Sequence, residues 1–197
     1  MDTPRWVHRN LNPGNLSSPV HLEKFSRRNL AKLFRILGYE TGAEIGVAEG
    51  RYSKMICDHN PGVRLLCVDT WQKYSGNSRG GPQSQHDRNY EIAQRILAPF
   101  DTTIVKAFSM DAVNNVELES LDFVYIDGNH AFDFVMQDII EWGKRVRKGG
   151  IISGHDYYHF RGAGVVEAVD AYTLAHGIAQ WFLTNESKEK SWFWVKQ

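Results

Sequence analysis

Two stretches of the chain end in side chains that can hold a metal ion or move a proton. Leu121-Asp-Phe-Val-Tyr-Ile-Asp127-Gly-Asn-His130 is an apolar run that stops at Asp127 and His130, and Gly149-Gly-Ile-Ile-Ser-Gly-His155-Asp156 is another that stops at His155 and Asp156. Short runs of Leu, Val, Ile and aromatics fit strands of a sheet covered on both faces. In open α/β sheets the carboxyl ends of such strands line the ligand crevice. The four side chains are therefore expected together at one rim. Two carboxylates and two imidazoles there suit a divalent ion, a general base, or both. Each also has a plainer reading. Asp127 before Gly128 suits a turn, His130 a cap for a helix starting near Phe132, and His155 a hydrogen-bonded place in the sheet. Tyr157, Tyr158, His159 and Phe160 follow as an aromatic cluster that either walls a pocket or simply packs.

Three further motifs sit where earlier strands should end. Glu44-Ile-Gly46-Val-Ala-Glu-Gly50 reads as a strand, a glycine-bearing turn and a helix start. Glycines let a ligand approach the backbone, and a helix N-terminus offers free N–H groups to a carboxylate or phosphate. A dinucleotide fingerprint would read G-x-G-x-x-G, whereas here Gly46 and Gly50 are separated by three residues. Glu44 would repel a pyrophosphate but could accept from a ligand ammonium. Asp69 ends the next strand, 25 positions after Glu44, where an acid can accept from both hydroxyls of a ribose. Ser109-Met-Asp111 follows the third strand, and either polar residue could meet an adenine edge or serve as a helix cap.

The elements that must position these residues alternate. Residues 1–20, with Pro4, Pro13, Gly14 and Pro19, read as an extended arm in which Trp6 and Val7 have something to bury. Residues 21–37 have helical spacing, and Lys24, Arg27, Arg28 and Lys32 between the apolar positions read as a solvated basic face. Arg51 to His59, Arg88 to Leu97, Phe132 to Val146 and Gly164 to His176 read as further helices between strands at 43–46, 64–69, 102–107, 121–126 and after Gly150. The segment from Thr70 to Asp87 is long for a connection and reads as a lid. Ile178 to Leu183 and Ser191 to Val195 are expected to close the chain as an antiparallel hairpin. The result is a single-domain α/β Rossmann-like fold, residues 21–197 behind the arm. Its doubly wound sheet is mostly parallel, with seven strands.

Composition narrows the function. Lys plus Arg equals Asp plus Glu at 23 each, so no overall charge favours nucleic acid or a membrane surface. No Asn/Asp-Pro-Pro-aromatic tetrapeptide of the amino-methylating kind occurs. The cysteines, Cys57 and Cys67, lie in apolar segments and read as core residues rather than a disulfide framework. The N-terminus has no apolar run resembling a signal peptide, and no segment approaches the ~20 apolar residues of a membrane helix, so a cytoplasmic location is expected.

Glu44-x-Gly46-x-x-x-Gly50, Asp69 at the next strand end, Asp127-Gly-x-His130, the Gly149-Gly150 turn and the closing hairpin together resemble class I S-adenosylmethionine-dependent methyltransferases. The resemblance covers about residues 40–197 and is nearest to small metal-dependent O-methyltransferases of the catechol and macrolide-sugar types. It implies that the backbone at Gly46 and Gly50 holds the methionine part of the cofactor, with Glu44 beside it. It implies Asp69 on the ribose, Thr70 or Trp71 beside the adenine, and Ser109 and Asp111 near the adenine amino group. Asp127, at the edge of the cofactor site, would also be a metal ligand together with His155 and Asp156. His130 would be the general base. One departure stands out: those relatives carry an acid where this chain has His155. A histidine softens the site and widens the choice beyond Mg²⁺ to Mn²⁺, Fe²⁺ or another ion.

The expectation is thus methyl transfer from S-adenosylmethionine to a hydroxyl of a small molecule, a sugar or a diol. The chemistry fits. A hydroxyl is a poor nucleophile until its proton is drawn off, and an imidazole with pKa ~6.5 can take it. Two other readings compete: a non-catalytic binder of the adenosyl ligand, and an NAD-dependent oxidoreductase. The missing third glycine, Glu44 and the hairpin speak against the last. The acceptor site is expected between the arm and the lid, and a hydrophobic arm would suit a homodimer.

Overall fold

The computed structural model describes residues 2–74, 81–160, 162–186 and 188–197. Its strands are β1 (Val20–His21), β2 (Thr41–Ile45), β3 (Arg64–Asp69), β4 (Thr102–Lys106), β5 (Leu121–Ile126), β6 (Val146–Gly154), β7 (Trp181–Leu183) and β8 (Trp192–Val195). Its helices are α1 (Thr3–Leu11), α2 (Arg27–Ile36), α3 (Arg51–His59), α4 (Gln83–Leu97), α5 (Ser109–Val113), α6 (Phe132–Arg145) and α7 (Val165–Ala175). The strands form one sheet in the order β1-β7-β8-β6-β5-β2-β3-β4. β2 to β6 pair in parallel, while β8 runs antiparallel to both β6 and β7.

Side-chain alternation splits the core into two layers. Phe123 and Tyr125 of β5 point to one face, where α2 and α3 bring Phe34, Ile56 and Tyr52. Val124 and Ile126 point to the other, where Val135, Ile139 and Trp142 of α6 pack with Val165 and Val169 of α7. Phe34 stacks on Phe123 at 3.9 Å between ring centroids, which fixes α2 over the middle of the sheet. Cys57 and Cys67 are buried free thiols, as their apolar settings suggested.

Four expectations need correction. The sheet has eight strands rather than seven. The extra one is β1, which pairs in parallel with β7 at the edge. Two residues are too few for a period to show in the sequence. The arm is not extended: Asp2 caps α1 by accepting from Arg5 N at 3.1 Å, and Pro4 sits in the first turn, where its missing N–H costs nothing. Val7 is fully buried against the sheet core and Trp6 is partly buried beside it, while Leu16 stays exposed. The helix read over 21–37 begins only at Arg27. The helix read from Arg88 begins at Gln83, because residues 83–87 are polar and gave no apolar spacing. The connection read as a lid is correspondingly shorter, and residues 75–80 of it lie outside the described residues. No helix among the described residues is long and apolar enough to cross a membrane.

Candidate active site

The central strands end in one row. Ile45 is in register with Val68 and with Ile126, and Ile126 with Gly154. Gly46, Asp69, Asp127 and His155 therefore stand side by side at the rim. Gly46 has φ +90°, and a Cβ there would come within 2.0 Å of the Asp127 carbonyl oxygen. Only glycine allows the turn after β2 to lie against the end of β5. Gly50, at φ +76°, starts α3 in the same left-handed region. Three non-glycine residues share that conformation around the site: Ala48, Trp71 and Asp156. Such backbone is costly and gathers where function demands it.

Asp69 ties the glycine turn to the next loop. Its Oδ2 accepts from Ala48 N at 2.9 Å and its Oδ1 from Trp71 N at 2.8 Å. The buried Trp71 ring donates from Nε1 to the Ala48 carbonyl at 2.8 Å. Above this knot opens a cavity of about 530 Å³. Its wall includes Gly46, Asp69, Thr70, Trp71, Ser109, Asp111, Asp127 and His130 from the sequence reading.

Glu44, Gly50, His155 and Asp156 do not line the cavity. Glu44 is 2% exposed, beneath the turn, and accepts a hydrogen bond from the Ser53 hydroxyl. Burial pushes its carboxyl up to about 8, against a partial offset from Ser53. A protonated carboxyl below the cavity floor is a structural element here rather than a contact for a ligand ammonium. Ser109 reaches the cavity, but its hydroxyl is donated to Asp138 and accepts from Trp142 Nε1 at 2.7 Å.

The sequence reading missed several wall residues. Gln85, His86 and Asn89 come from α4, and Phe134, Gln137 and Asp138 from α6. His86 Nε2 is buried at the wall and has no hydrogen-bond partner among the described residues. Asp138 is 4% exposed, and burial pushes its carboxyl up to about 7 despite the Ser109 hydrogen bond. Tyr74, five residues after β3, accepts from Asn129 Nδ2 at 3.1 Å and meets Phe108 edge-on, so it bridges two sides of the opening.

At one end of the cavity the four rim side chains come together. His130 Nε2 lies 2.7 Å from Asp156 Oδ2 and 3.6 Å from Asp127 Oδ1. His155 Nδ1 lies 3.3 Å from Asp156 Oδ1 and 3.7 Å from Asp127 Oδ2. Burial alone would lower the His130 pKa, but hydrogen bonds and charge from Asp127 and Asp156 raise it to about 9. His155 is likewise raised, its burial outweighed by Asp156 and Asp127. Asp156 is held well below the usual carboxylate range, since the two imidazoles outweigh its burial. Among the described residues, Asp127, His130 and Asp156 each offer a ligand atom within 4.8 Å of the others, and the expected ligand His155 stands beside Asp127 and Asp156. Two carboxylates and an imidazole fit a divalent ion of the Mn²⁺ or Fe²⁺ kind.

The sequence model of a family described as "Methyltransferase domain" matches residues 43–157, more than half of the chain. The chain belongs to that methyltransferase family. The class I expectation is met at the level of family and fold. An O-methyltransferase from Bacillus cereus solved with S-adenosylhomocysteine has a TM-score of 0.63 at 15% identity, over 100% of this chain and 91% of that one. The O-methyltransferase TomG from Streptomyces achromogenes, solved with S-adenosylmethionine, scores 0.63 at 14% identity over 99% and 88%. A precorrin-6y C5,15-methyltransferase from Geobacter metallireducens scores 0.60 at 15% identity over 86% and 87%. At these identities the likeness shows the fold, and the acceptor must be argued from the site. No curated protein matches the sequence.

Proposed function

We propose that this methyltransferase transfers the methyl group of S-adenosylmethionine to a hydroxyl of a small molecule, a sugar or a diol, with His130 as base beside a divalent ion. The observation that carries the reading is the continuity of the cavity, which runs from Gly46 and Asp69 past Ser109 to Asp127 and His130. Its size suits a small-molecule ligand. Asp69 is available to the ribose hydroxyls, since each carboxylate oxygen accepts one backbone bond and keeps a further lone pair. The bulk of the adenosyl group would lie between Trp71 and the Phe108–Asp111 turn, leaving the sulfonium methyl directed toward His130. The family match leaves the nicotinamide alternative without support.

The chain's own groups act by position and charge. Holding hydroxyl and methyl in line removes much of the entropic barrier. Asp127 and Asp156 favour the cationic cofactor and keep the His130 imidazole oriented through the 2.7 Å contact. With both carboxylates free, His130 is protonated at neutral pH. Once their charge is neutralised, its pKa returns toward 6.5 and it can accept the acceptor's proton. A divalent ion held by Asp127, His155 and Asp156 would supply that neutralisation, lower the pKa of an oxygen bound to it, and leave His130 free to act as base.

The direct test is calorimetric titration with S-adenosylhomocysteine, with and without Mn²⁺ or Mg²⁺. Micromolar binding with a separate heat for the ion supports both parts. Absence of adenosyl binding sinks the reading, and ligand binding without an ion heat removes the metal from it.

A further inference from the structure

Arg27 opens α2 at the same rim, outside the wall of the cofactor cavity. Its guanidinium lies 5.3 Å from the centroid of the Tyr52 ring. Tyr52 packs on Tyr125 at 4.2 Å, and Tyr125 stands 6.4 Å from the His155 ring. This aromatic stair connects Arg27 to the carboxylate and imidazole cluster. Burial works against the arginine's charge, but Tyr125 and Asp127 outweigh it and make the cation firmer.

The charge has no close counter-ion. Among the described residues no carboxylate oxygen lies within 4.0 Å of the guanidinium. Glu186, the carboxylate that touches this residue, is engaged elsewhere: Oε1 accepts from the Arg27 backbone N–H and Oε2 from the Thr184 hydroxyl. The cation is held by aromatic rings and by charge at longer range, which leaves its fork without a carboxylate partner among the described residues. Arginine's planar fork matches the oxygens of a carboxylate or phosphate. Asp127, Asp156 and Glu186 would otherwise repel any reactant carrying such a group.

We propose that Arg27 is an oxyanion receptor of the active site, binding a carboxylate or phosphate carried by a reactant, and that it thereby selects which reactants enter. The proposal rests on the methyl-transfer reading only for which reactants are tried. Two sources could supply the group: the amino-acid end of the adenosyl ligand, or an acidic substituent on the acceptor.

The experiment separates them by matched pairs in calorimetric titrations of the full chain. S-adenosylhomocysteine is compared with its carboxamide, which keeps the ammonium and the chain but lacks the carboxylate charge. On protein saturated with S-adenosylhomocysteine, 3,4-dihydroxybenzoate is compared with catechol, glucuronate with glucose, and glucose 6-phosphate with glucose. The wild type should bind the carboxylate- or phosphate-bearing member of at least one pair about ten- to a hundredfold more tightly, the range of a charge-assisted hydrogen bond. Arg27→Gln should abolish that difference while leaving the other member unaffected, and Arg27→Lys should keep part of it. The pair that collapses identifies the source. The proposal is overturned if no pair shows a preference, or if the preference survives in Arg27→Gln. Thermal midpoints of both variants report on folding, and Arg27→Lys alone decides if Arg27→Gln does not fold: an undiminished preference there removes the need for the fork. Failure of the wild type to bind S-adenosylhomocysteine would refute the methyl-transfer reading instead. The acceptor pairs would then be titrated on the free protein, with the same criterion.

Discussion

Glu44 should make the fold lose stability as pH rises through the neutral range. It sits mid-sheet on β2, in register with Cys67 and Tyr125, and is 2% exposed. Its carboxyl is raised from 4.5 to about 8, chiefly by burial. At 1.36 kcal/mol per tenfold, ionising it in the folded state costs about 5 kcal/mol. Below pH 4.5 the group is protonated in both states and costs nothing. Between 4.5 and about 8 the unfolded chain releases the proton and the folded chain keeps it, so stability falls; above about 8 the loss is complete. Glu44→Gln keeps the shape and an acceptor for Ser53 but carries no charge. Integrating the two titrations, the wild type should lose about 3 kcal/mol relative to the variant between pH 5.5 and pH 8. With a urea slope of about 2 kcal/mol/M, the two midpoints should move apart by about 1.5 M. His130, His155 and Asp138 are present in both proteins and cancel in the comparison. Parallel pH dependence, within about 0.5 kcal/mol, would refute the reasoning, because Glu44 would then ionise alike in the folded and unfolded chains.

The other predictions concern the rim. Gly46→Ala should destabilise by more than about 3 kcal/mol, since the new Cβ meets the Asp127 carbonyl; Gly62→Ala, at a similar φ but with nothing within 4 Å, should cost about 1 kcal/mol, and equal losses in thermal unfolding would remove the close approach from the account. Asp69→Ala should weaken S-adenosylhomocysteine binding at least about tenfold while any Mn²⁺ heat persists, because it removes the proposed ribose acceptor together with the bonds to Ala48 and Trp71. Unchanged affinity would count against the ribose role. His130→Ala should lower turnover by about 10²- to 10⁴-fold with cofactor affinity nearly intact, and unaltered turnover would put the base elsewhere.

The parts of the site contributed by strand ends were legible in the sequence, for a physical reason. A central parallel strand is apolar along its length and must become polar where it leaves the sheet. Asp69, Asp127 and the His155–Asp156 pair therefore mark the rim by the abrupt end of an apolar run. Register does the rest, because neighbouring parallel strands end together. The walls supplied by helices were not legible. His86 and Asp138 reach the cavity from α4 and α6, where a polar residue on the inner face looks like any solvated position until the partner helix is known. Asp138 in particular lies within an apolar helix face and is tolerated there because Ser109, itself held by Trp142, gives it a donor.

Glu44 and Arg27 show the same limit from the opposite side. In the sequence Glu44 looked like a ligand contact because it precedes the glycine turn, and Arg27 looked like part of a solvated basic face. Pleating decides otherwise. Glu44 is an even step from Gly42, so its side chain falls on the face covered by α3, where Ser53 receives it and no ligand can. Arg27 is the first residue of α2, so its side chain leaves the helix at the rim rather than along the flank, and the burial of Tyr52 and Tyr125 beneath it gives the cation a platform. The acid that the sequence assigned to the ligand is thereby neutral and internal. The base it assigned to solvent stands charged beside the rim carboxylates. Reversing these two assignments removes one carboxylate from the ligand side of the rim and sets a fixed cation near its carboxylates and imidazoles, which is the electrostatic condition for the anionic reactant proposed above.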